Sequence, residues 1–370
     1  MHMLCSWNPK IRLPSLYYNP SSEFTPNLSI KNSKQPECPK SQFPPTNQSV
    51  AAIVFGDGSS SHSRLYPLTK RRSEAAIPIA GNYRLIDTVV SNCINSGITK
   101  IYAITQFNST SLNSHISRAY SGARLSNDGF VEVIAAYQSP EDNGWFQGTA
   151  DAIRRCLWML EEYPVTEFLV LPGHHLYKMN YRELIDAHRR TKADITVSVL
   201  NSRKNDIVED VGFGIFRLND ENQVVEFRDH PETMVSKFDQ NKATCDFASM
   251  GIYVINRDVM IKLLTEYFPT VNELKSQVIP GAISLGMKIY GYGFDGHWED
   301  MRSIAAYYRA NMETLWRTNK SYSFYDRDCP LYTLPRHLPP TLVTDAVITD
   351  SFIGDGCILS VQMQDKRHSC

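Results

Sequence analysis

The chain has 370 residues, of which 42% are hydrophobic and 21% charged, with a formal net charge of -1. That is enough for one large domain or two ordinary ones, and the balanced charge removes any electrostatic case for nucleic acid or an anionic membrane. No apolar run reaches the roughly 18–20 residues of a membrane-spanning helix, and the eight cysteines include no C-x-x-C pair, which suits a reducing compartment without a zinc or disulfide framework.

The first 48 residues stand apart. They are rich in Ser, Pro, Asn and Lys, and Glu23 and Glu37 are their only acids. Composition leaves open a disordered leader or a transit peptide of the Ser-rich, acid-poor kind. A secretory signal is not indicated, because no compact apolar segment follows Met1.

From Val50 onward, apolar runs of strand length alternate with helical periodicity. Val50 to Phe55 reads as a first strand. Leu85 to Ile94 spaces Leu85, Val89 and Cys93 four apart and reads as a helix. Strands are expected at Lys100 to Thr105 and Val131 to Ala135. A helix over Thr149 to Tyr163 follows, with Thr149 as its N-cap. Glu167 to Leu171 is a buried strand, Tyr181 to Thr191 a helix, and Asp194 to Leu200 a strand. This alternation predicts a mostly parallel, doubly wound α/β sheet, with ligands at the carboxyl ends of strands. The residues after Phe55 and Leu171 fall there. Near the C-terminus, Val347, Ile353 and Leu359 lie six apart with Gly354 and Gly356 between them. A six-residue apolar period suggests a parallel β-helix, or else a lone strand and turn.

Several longer motifs narrow the reading. They are NYRLID (Asn82 to Asp87), TQFNS (Thr105 to Ser109), FVEVIAAYQSPED (Phe130 to Asp142), WFQGTADA (Trp145 to Ala152), ASMGIYV (Ala248 to Val254), GHWED (Gly296 to Asp300), SFYDR (Ser323 to Arg327) and VTDAVITDSFIGDGC (Val343 to Cys357). Together they resemble the small subunit of plant glucose-1-phosphate adenylyltransferase, over roughly Val50 to Leu359. The resemblance implies a Rossmann-like nucleotidyltransferase domain over residues 49–316, a linker over 317–340, and a left-handed β-helix beginning in 341–370. After Leu359 the apolar period lapses, so only its opening rungs are expected. It also implies the conversion of ATP and glucose 1-phosphate to ADP-glucose and pyrophosphate in starch biosynthesis, with Mg²⁺, inside the chloroplast stroma. Assembly with related large or small subunits is implied as well.

Against that background, the phosphate-handling positions differ. The family's G-G-G-x-G-T-R loop is here Gly56-Asp57-Gly58-Ser59-Ser60-Ser61-His62-Ser63-Arg64. It is about two residues longer, has fewer glycines to bring backbone N–H groups to phosphate, and gains a carboxylate. Arg64 is retained. Glu74 stands where the family's phosphate-contacting lysine is, a charge reversal beside a polyanion. His174 stands where the family's metal-binding Asp is, in Pro172-Gly173-His174-His175-Leu176-Tyr177. Mg²⁺ requires hard oxygen ligands, whereas imidazole suits Zn, Cu or Ni. Asp300 matches the other metal carboxylate. A zinc reading of the His174–His175 pair is disfavoured, because neighbours on a strand point to opposite faces and no third ligand is evident.

The sugar side is also altered. E-K-P becomes Asp229-His230-Pro231, placing His230 where the family's lysine pairs with the sugar phosphate. Gly212 and Ser249 are kept, with the segment between them about a dozen residues shorter. I-G-T becomes Met301-Arg302-Ser303, which puts a bulky cation at a glycine position. In contrast, Gln106, Trp145, Gly148 and Thr149 match positions around the adenine, although core packing alone would also account for them. Two functions remain open. One is a feeble adenylyltransferase. The other is a non-catalytic subunit that binds and modulates active partners. A different sugar-nucleotide transferase is disfavoured, since it too would need the metal Asp.

Overall fold

The computed structural model describes residues 49–56, 64–121, 125, 129–136, 144–200, 214–229, 245–315, 322–335, 338–344, 346–348, 351 and 353–360. The leader and Gly58, Gly212 and His230 lie outside these residues, as does most of the loop after Phe55.

The first strand, β1 (Val50–Phe55), is apolar at every position, so a face of packed helices is required on each side of it. Short strands β2 (Pro78–Ile79) and β3 (Tyr83–Arg84) lead into helix α1 (Leu85–Asn95). There follow β4 (Lys100–Thr105), α2 (Thr110–Ala119), β5 (Phe130–Ala135), α3 (Thr149–Leu160) and β6 (Glu167–Pro172). β1 pairs in parallel with both β4 and β6, setting Ile53 beside Tyr102 and Val170, and β4 pairs in parallel with β5. Alternate residues then serve opposite faces. Ala51 and Ile53 pack with Ile153, Cys156 and Leu160 of α3. Val50, Ala52 and Val54 pack with Ile86, Val89 and Cys93 of α1 and with Leu112 and Ile116 of α2.

Beyond β6 come β7 (His175–Tyr177), α4 (Tyr181–Thr191), β8 (Ile195–Leu200), β9 (Ile215–Leu218), β10 (Val224–Arg228) and β11 (Cys245–Asn256). The expected mostly parallel pattern changes at β11, which runs antiparallel to β6, β8 and β9. Its register shifts between Ser249 and Tyr253, so one long strand serves different neighbours along its length. After α5 (Arg257–Lys262) and α6 (Ile279–Ser284), β12 (Ile289–Phe294) pairs in parallel with β8. Among the described residues the result is a mixed nine-stranded sheet covered on both faces, consistent with a Rossmann-like fold.

The strand β13 (Trp298–Asp300) pairs antiparallel with β7, setting Asp300 opposite His175, and α7 (Ile304–Glu313) follows it. A third apolar cluster, including Leu65, Ile77, Leu176, Met301, Ala310 and Phe324, supports this ribbon.

Asp87 of NYRLID explains much of the local order. Fully buried, it accepts from Arg84 N–H at 2.9 Å, closing a capping box at the start of α1. It also contacts His115 Nε2 and accepts from the hydroxyls of Tyr120 and Thr333, each at 2.6 Å. One carboxylate thus ties α1, α2 and the 332–333 segment together. Further along α1, Thr88 donates to the carbonyl of His175 at 2.9 Å, and Asn92 to that of Tyr177 at 2.9 Å. These bonds fix β7.

At the C-terminus, β14 (Leu342–Thr344) and β15 (Ile358–Ser360) pair in parallel, Leu342 beside Ile358. Leu342 N–H donates to the carbonyl of Cys357, and the Thr341 hydroxyl to that of Gly354. Of the apolar ladder read from the sequence, Ile353 and Leu359 are half-buried. Val347 is 95% exposed, because no second layer of chain covers it among the described residues.

Candidate functional site

The site begins where β1 and β6 end side by side. Gly173 N–H donates to the Phe55 carbonyl at 2.9 Å, and a Cβ on Gly173 would meet that oxygen at 2.4 Å. Gly56 N–H donates to the Ile104 carbonyl at 2.8 Å, with Leu112 and Thr105 leaving no room for a side chain. Close packing requires both glycines at these strand ends. The Glu74–Ala76 turn lies against Gly173 through Ala75. Glu74 is buried there, whereas Arg64 is exposed.

On the α3 side, Gln106, Gly148 and Thr149 line one pocket together with Phe55, Phe146 and Ala152. Trp145 does not line it. Instead Trp145 is about half exposed and meets Phe107 edge-on at 6.2 Å. Its neighbour Phe146 turns inward to the core, which leaves Trp145 outside. The N-cap of α3 is Gly148 rather than Thr149, since the helix begins one residue earlier than its first hydroxyl could cap. The Thr149 hydroxyl is engaged elsewhere, donating to Glu273 Oε2 at 3.2 Å and accepting from Leu274 N–H at 2.9 Å. Asn272 brings its carbonyl to the N–H groups of Ala150 and Asp151 at 2.8 and 3.2 Å. A Cβ on Gly148 would lie 2.4 Å from that carbonyl. Gly148 and Thr149 therefore lock α3 to the 272–274 segment as well as shaping the pocket.

The second half of the site is the β7–β13 ribbon. His174 lies in the two-residue turn between β6 and β7, not on a strand, so the alternation expected to separate it from His175 does not operate. The two rings meet edge-on with centroids 4.7 Å apart. His174, His175 and Asp300 bring their ligand atoms within 4.8 Å of one another. His174 Nε2 is 3.8 Å from Asp300 Oδ1. Burial lowers His174 to about 4 despite the neighbouring Asp300 carboxylate. Burial, then the His174 ring, places His175 well below its ordinary value. Near neutrality both imidazoles are uncharged and supply no cation for a phosphate.

Arg302 supplies the permanent positive charge. Its Nε donates to Asp300 Oδ1 at 3.1 Å and Oδ2 at 3.0 Å, its Nη2 to Oδ2 at 2.7 Å, and its backbone N–H to Oδ1 at 3.1 Å. Burial alone would raise the Asp300 carboxyl. The His174 ring and the Arg302 hydrogen bonds outweigh it and hold Asp300 well below the usual carboxylate range. Asp300, expected from the resemblance to be the one carboxylate of a weak Mg²⁺ site, carries a bidentate guanidinium on its two oxygens, because a two-residue return of the chain places Arg302 there. An octahedral oxygen shell for Mg²⁺ would have to come from one occupied carboxylate and two imidazoles. The residues do not fit Mg²⁺.

On the sugar side, Asp229 faces Lys275 Nζ at 2.6 Å. Lys275 was not singled out from the sequence, because it is remote from Asp229 in the chain and sits in an unremarkable LKSQV segment. Ser249 is fully buried at the irregularity in β11, where its N–H donates to the Gly214 carbonyl at 2.9 Å and its Oγ accepts from Gly251 N–H at 3.2 Å. No helix among the described residues is long and apolar enough to cross a membrane.

Residues 51–317 match the profile of the family described as Nucleotidyl transferase. Over 349 residues the chain is 61% identical to the inactive glucose-1-phosphate adenylyltransferase small subunit 2, chloroplastic, of Arabidopsis thaliana, which covers 92% of this chain and 70% of that protein. Over 331 residues it is 49% identical to the chloroplastic/amyloplastic glucose-1-phosphate adenylyltransferase small subunit of Triticum aestivum, covering 85% of this chain and 69% of that protein.

Proposed function

We propose, from the premise that this chain belongs to the nucleotidyl transferase family and within it to the glucose-1-phosphate adenylyltransferase small subunits, that it is a plastid paralogue with little or no catalytic turnover. The family reaction joins glucose 1-phosphate to the α-phosphorus of ATP, forming ADP-glucose and releasing pyrophosphate. Such transfer depends on positioning and on stabilising charge as the in-line displacement proceeds. Mg²⁺ supplies that charge in the family. Here one observation carries the reading: Asp300 is closed by Arg302, and its partner position holds the neutral imidazole of His174.

What remains is a binding frame. Gln106, Gly148 and Thr149 would hold the adenine side, with Gly56, Gly58 and Arg64 bordering the triphosphate. Glu74 would repel the triphosphate. Gly212, Asp229, His230 and Ser249 would border glucose 1-phosphate, with Lys275 already neutralising Asp229. The second role is as a subunit that associates with active large or small subunits and modulates them. The exposed apolar side chains of Leu342, Val343, Val347 and Ile358 support it. In this reading residues 1–48 are the transit leader, 49–316 the nucleotidyltransferase domain and 317–340 a linker. The parallel pair β14–β15 then opens the left-handed β-helix of 341–370.

Steady-state turnover with ATP, glucose 1-phosphate and Mg²⁺ tests the proposal. Losing metal-centred charge stabilisation predicts a deficit of roughly 10³ or more relative to an active small subunit. A kcat above about 1 s⁻¹ would overturn it.

A further inference from the structure

A carboxylate withdrawn from water costs free energy unless a donor or cation compensates it. Glu299 is such a group. Its side chain is 4% exposed, and its Oε2 has no hydrogen-bond partner among the described residues. Because residues alternate along β13, Asp300 faces His174 while Glu299 faces the opposite side, towards α7. There it meets His297, with Nε2 3.4 Å from Glu299 Oε1, and Glu313, the last residue of α7. One ligand atom from each of His297, Glu299 and Glu313 lies within 4.8 Å of the others.

We propose that His297, Glu299 and Glu313 form a site for a divalent transition-metal ion of the zinc class, one that clips α7 to β13. Zinc is held by imidazole nitrogen and carboxylate oxygen at about 2.0–2.2 Å, which in a tetrahedron sets ligands about 3.4 Å apart. The His297–Glu299 separation already matches that edge. Glu313, half-buried at the helix end, brings a carboxylate oxygen within 4.8 Å of both as the third ligand. His297 is 23% exposed, which leaves a path for entry and a fourth position for water. One nitrogen and two carboxylates suit zinc or cobalt better than Mg²⁺, which demands an all-oxygen octahedron. Arg309, four residues before Glu313 on α7, bears electrostatically on Glu299 and opposes the ion. The cluster on the other face of β13 is a poorer host, because Arg302 already occupies both oxygens of Asp300.

The test is calorimetric titration of chelator-treated full chain with ZnCl₂. It is accompanied by the visible spectrum of the Co²⁺ form and by thermal unfolding with and without Zn²⁺. One high-affinity ion per chain is expected, with tetrahedral cobalt bands and a raised Tm. Glu299→Gln, His297→Phe and Glu313→Gln should each weaken it by about tenfold or more. Arg309→Gln should tighten it, and His174→Asn should leave it unchanged. If Glu299→Gln does not fold, Glu313→Gln and Arg309→Gln still decide, since both sit on the partly exposed helix. Zinc affinity indifferent to all these substitutions, or lost only in His174→Asn, would overturn the proposal.

Discussion

The pocket beside α3 and the ribbon of β7 and β13 lie on the same framework but have different chemistry. Around the pocket, polar groups are held by backbone contacts that fix shape: Asn272 carbonyl on the N-terminus of α3, Glu273 and Leu274 on Thr149. In the ribbon, polar side chains hold one another, and Arg302 closes the one carboxylate that faces His174 and His175 among the described residues. Shape can therefore persist where chemistry has been replaced. Under the proposed function, a binding frame would survive substitutions at the reactive end because separate contacts build the two regions.

The largest effect should come from reopening the ribbon. Restoring a carboxylate with His174→Asp leaves Asp300 closed, and Arg302→Gly alone leaves one carboxylate beside an imidazole. Only the double variant offers two free carboxylates, so its gain in ADP-glucose synthesis should exceed the product of the single gains by about tenfold or more. Glu74→Lys should add to it by relieving repulsion of the triphosphate. Independent effects within about twofold would break the picture of one shared site.

A smaller loss sharpens the pocket side of the comparison. Gly148→Ala places a methyl group 2.4 Å from the Asn272 carbonyl. The expected cost is about 2–3 kcal/mol, read as a lower denaturant midpoint. Gly293→Ala on β12, where nothing lies within 4 Å, is the matched control and should be close to neutral. Equal effects of the two would show that the α3 clamp is not a packing constraint.

The strands of the parallel half were legible because each is a short, nearly unbroken apolar run, as in VAAIVF, KIYAIT and EFLVLP. α2 was not, since TSLNSHISRA offers only Leu112, Ile116 and His115 to the interior and is otherwise built of weak helix formers. The antiparallel course of β11 depends on three neighbours that its own residues do not name. In the site, the identity of each replaced residue could be read from the sequence. The closure of Asp300 by Arg302 could not, because a two-residue separation says nothing of where a flexible guanidinium points. The convergence of His174 and His175 was hidden by assuming a strand where the chain makes a turn.

The ribbon also predicts two opposing pH dependences. His174 titrates near 4 when folded, against about 6.5 when unfolded. Its contribution is fully present above 6.5 and is lost as pH falls through that window, because the unfolded chain binds the extra proton. Glu299, pushed up to about 7 by burial and then by Glu313, behaves oppositely. Its contribution is present below about 4.5 and is lost as pH rises through 7. Each amounts to about 2 kcal/mol between pH 7 and 5, and His175, buried and also shifted down, acts in the same direction as His174. Relative to the unaltered chain, denaturant midpoints should then rise towards pH 5 in His174→Asn and fall in Glu299→Gln. Parallel curves for both variants would show that these groups are not buried as described.

The smallest expected change is the most direct comparison of the two regions. If adenine-side contacts dominate nucleotide binding while the ribbon holds no Mg²⁺ ligand pair, ATP should bind weakly and with an affinity that Mg²⁺ alters by less than about twofold. The argument rests on Asp300, whose two oxygens already accept from Arg302 at 3.0 Å and 2.7 Å, so that a hard cation must first displace a charge-assisted fork. That displacement carries a cost which the single carboxylate is poorly placed to offset. Calorimetry with and without Mg²⁺ reads the difference. In Arg302→Gly the same titration should become sensitive to Mg²⁺, since Asp300 would then be left without its cation. A gain of tenfold or more in the unaltered chain would mean that the ribbon, like the pocket, has kept its original chemistry.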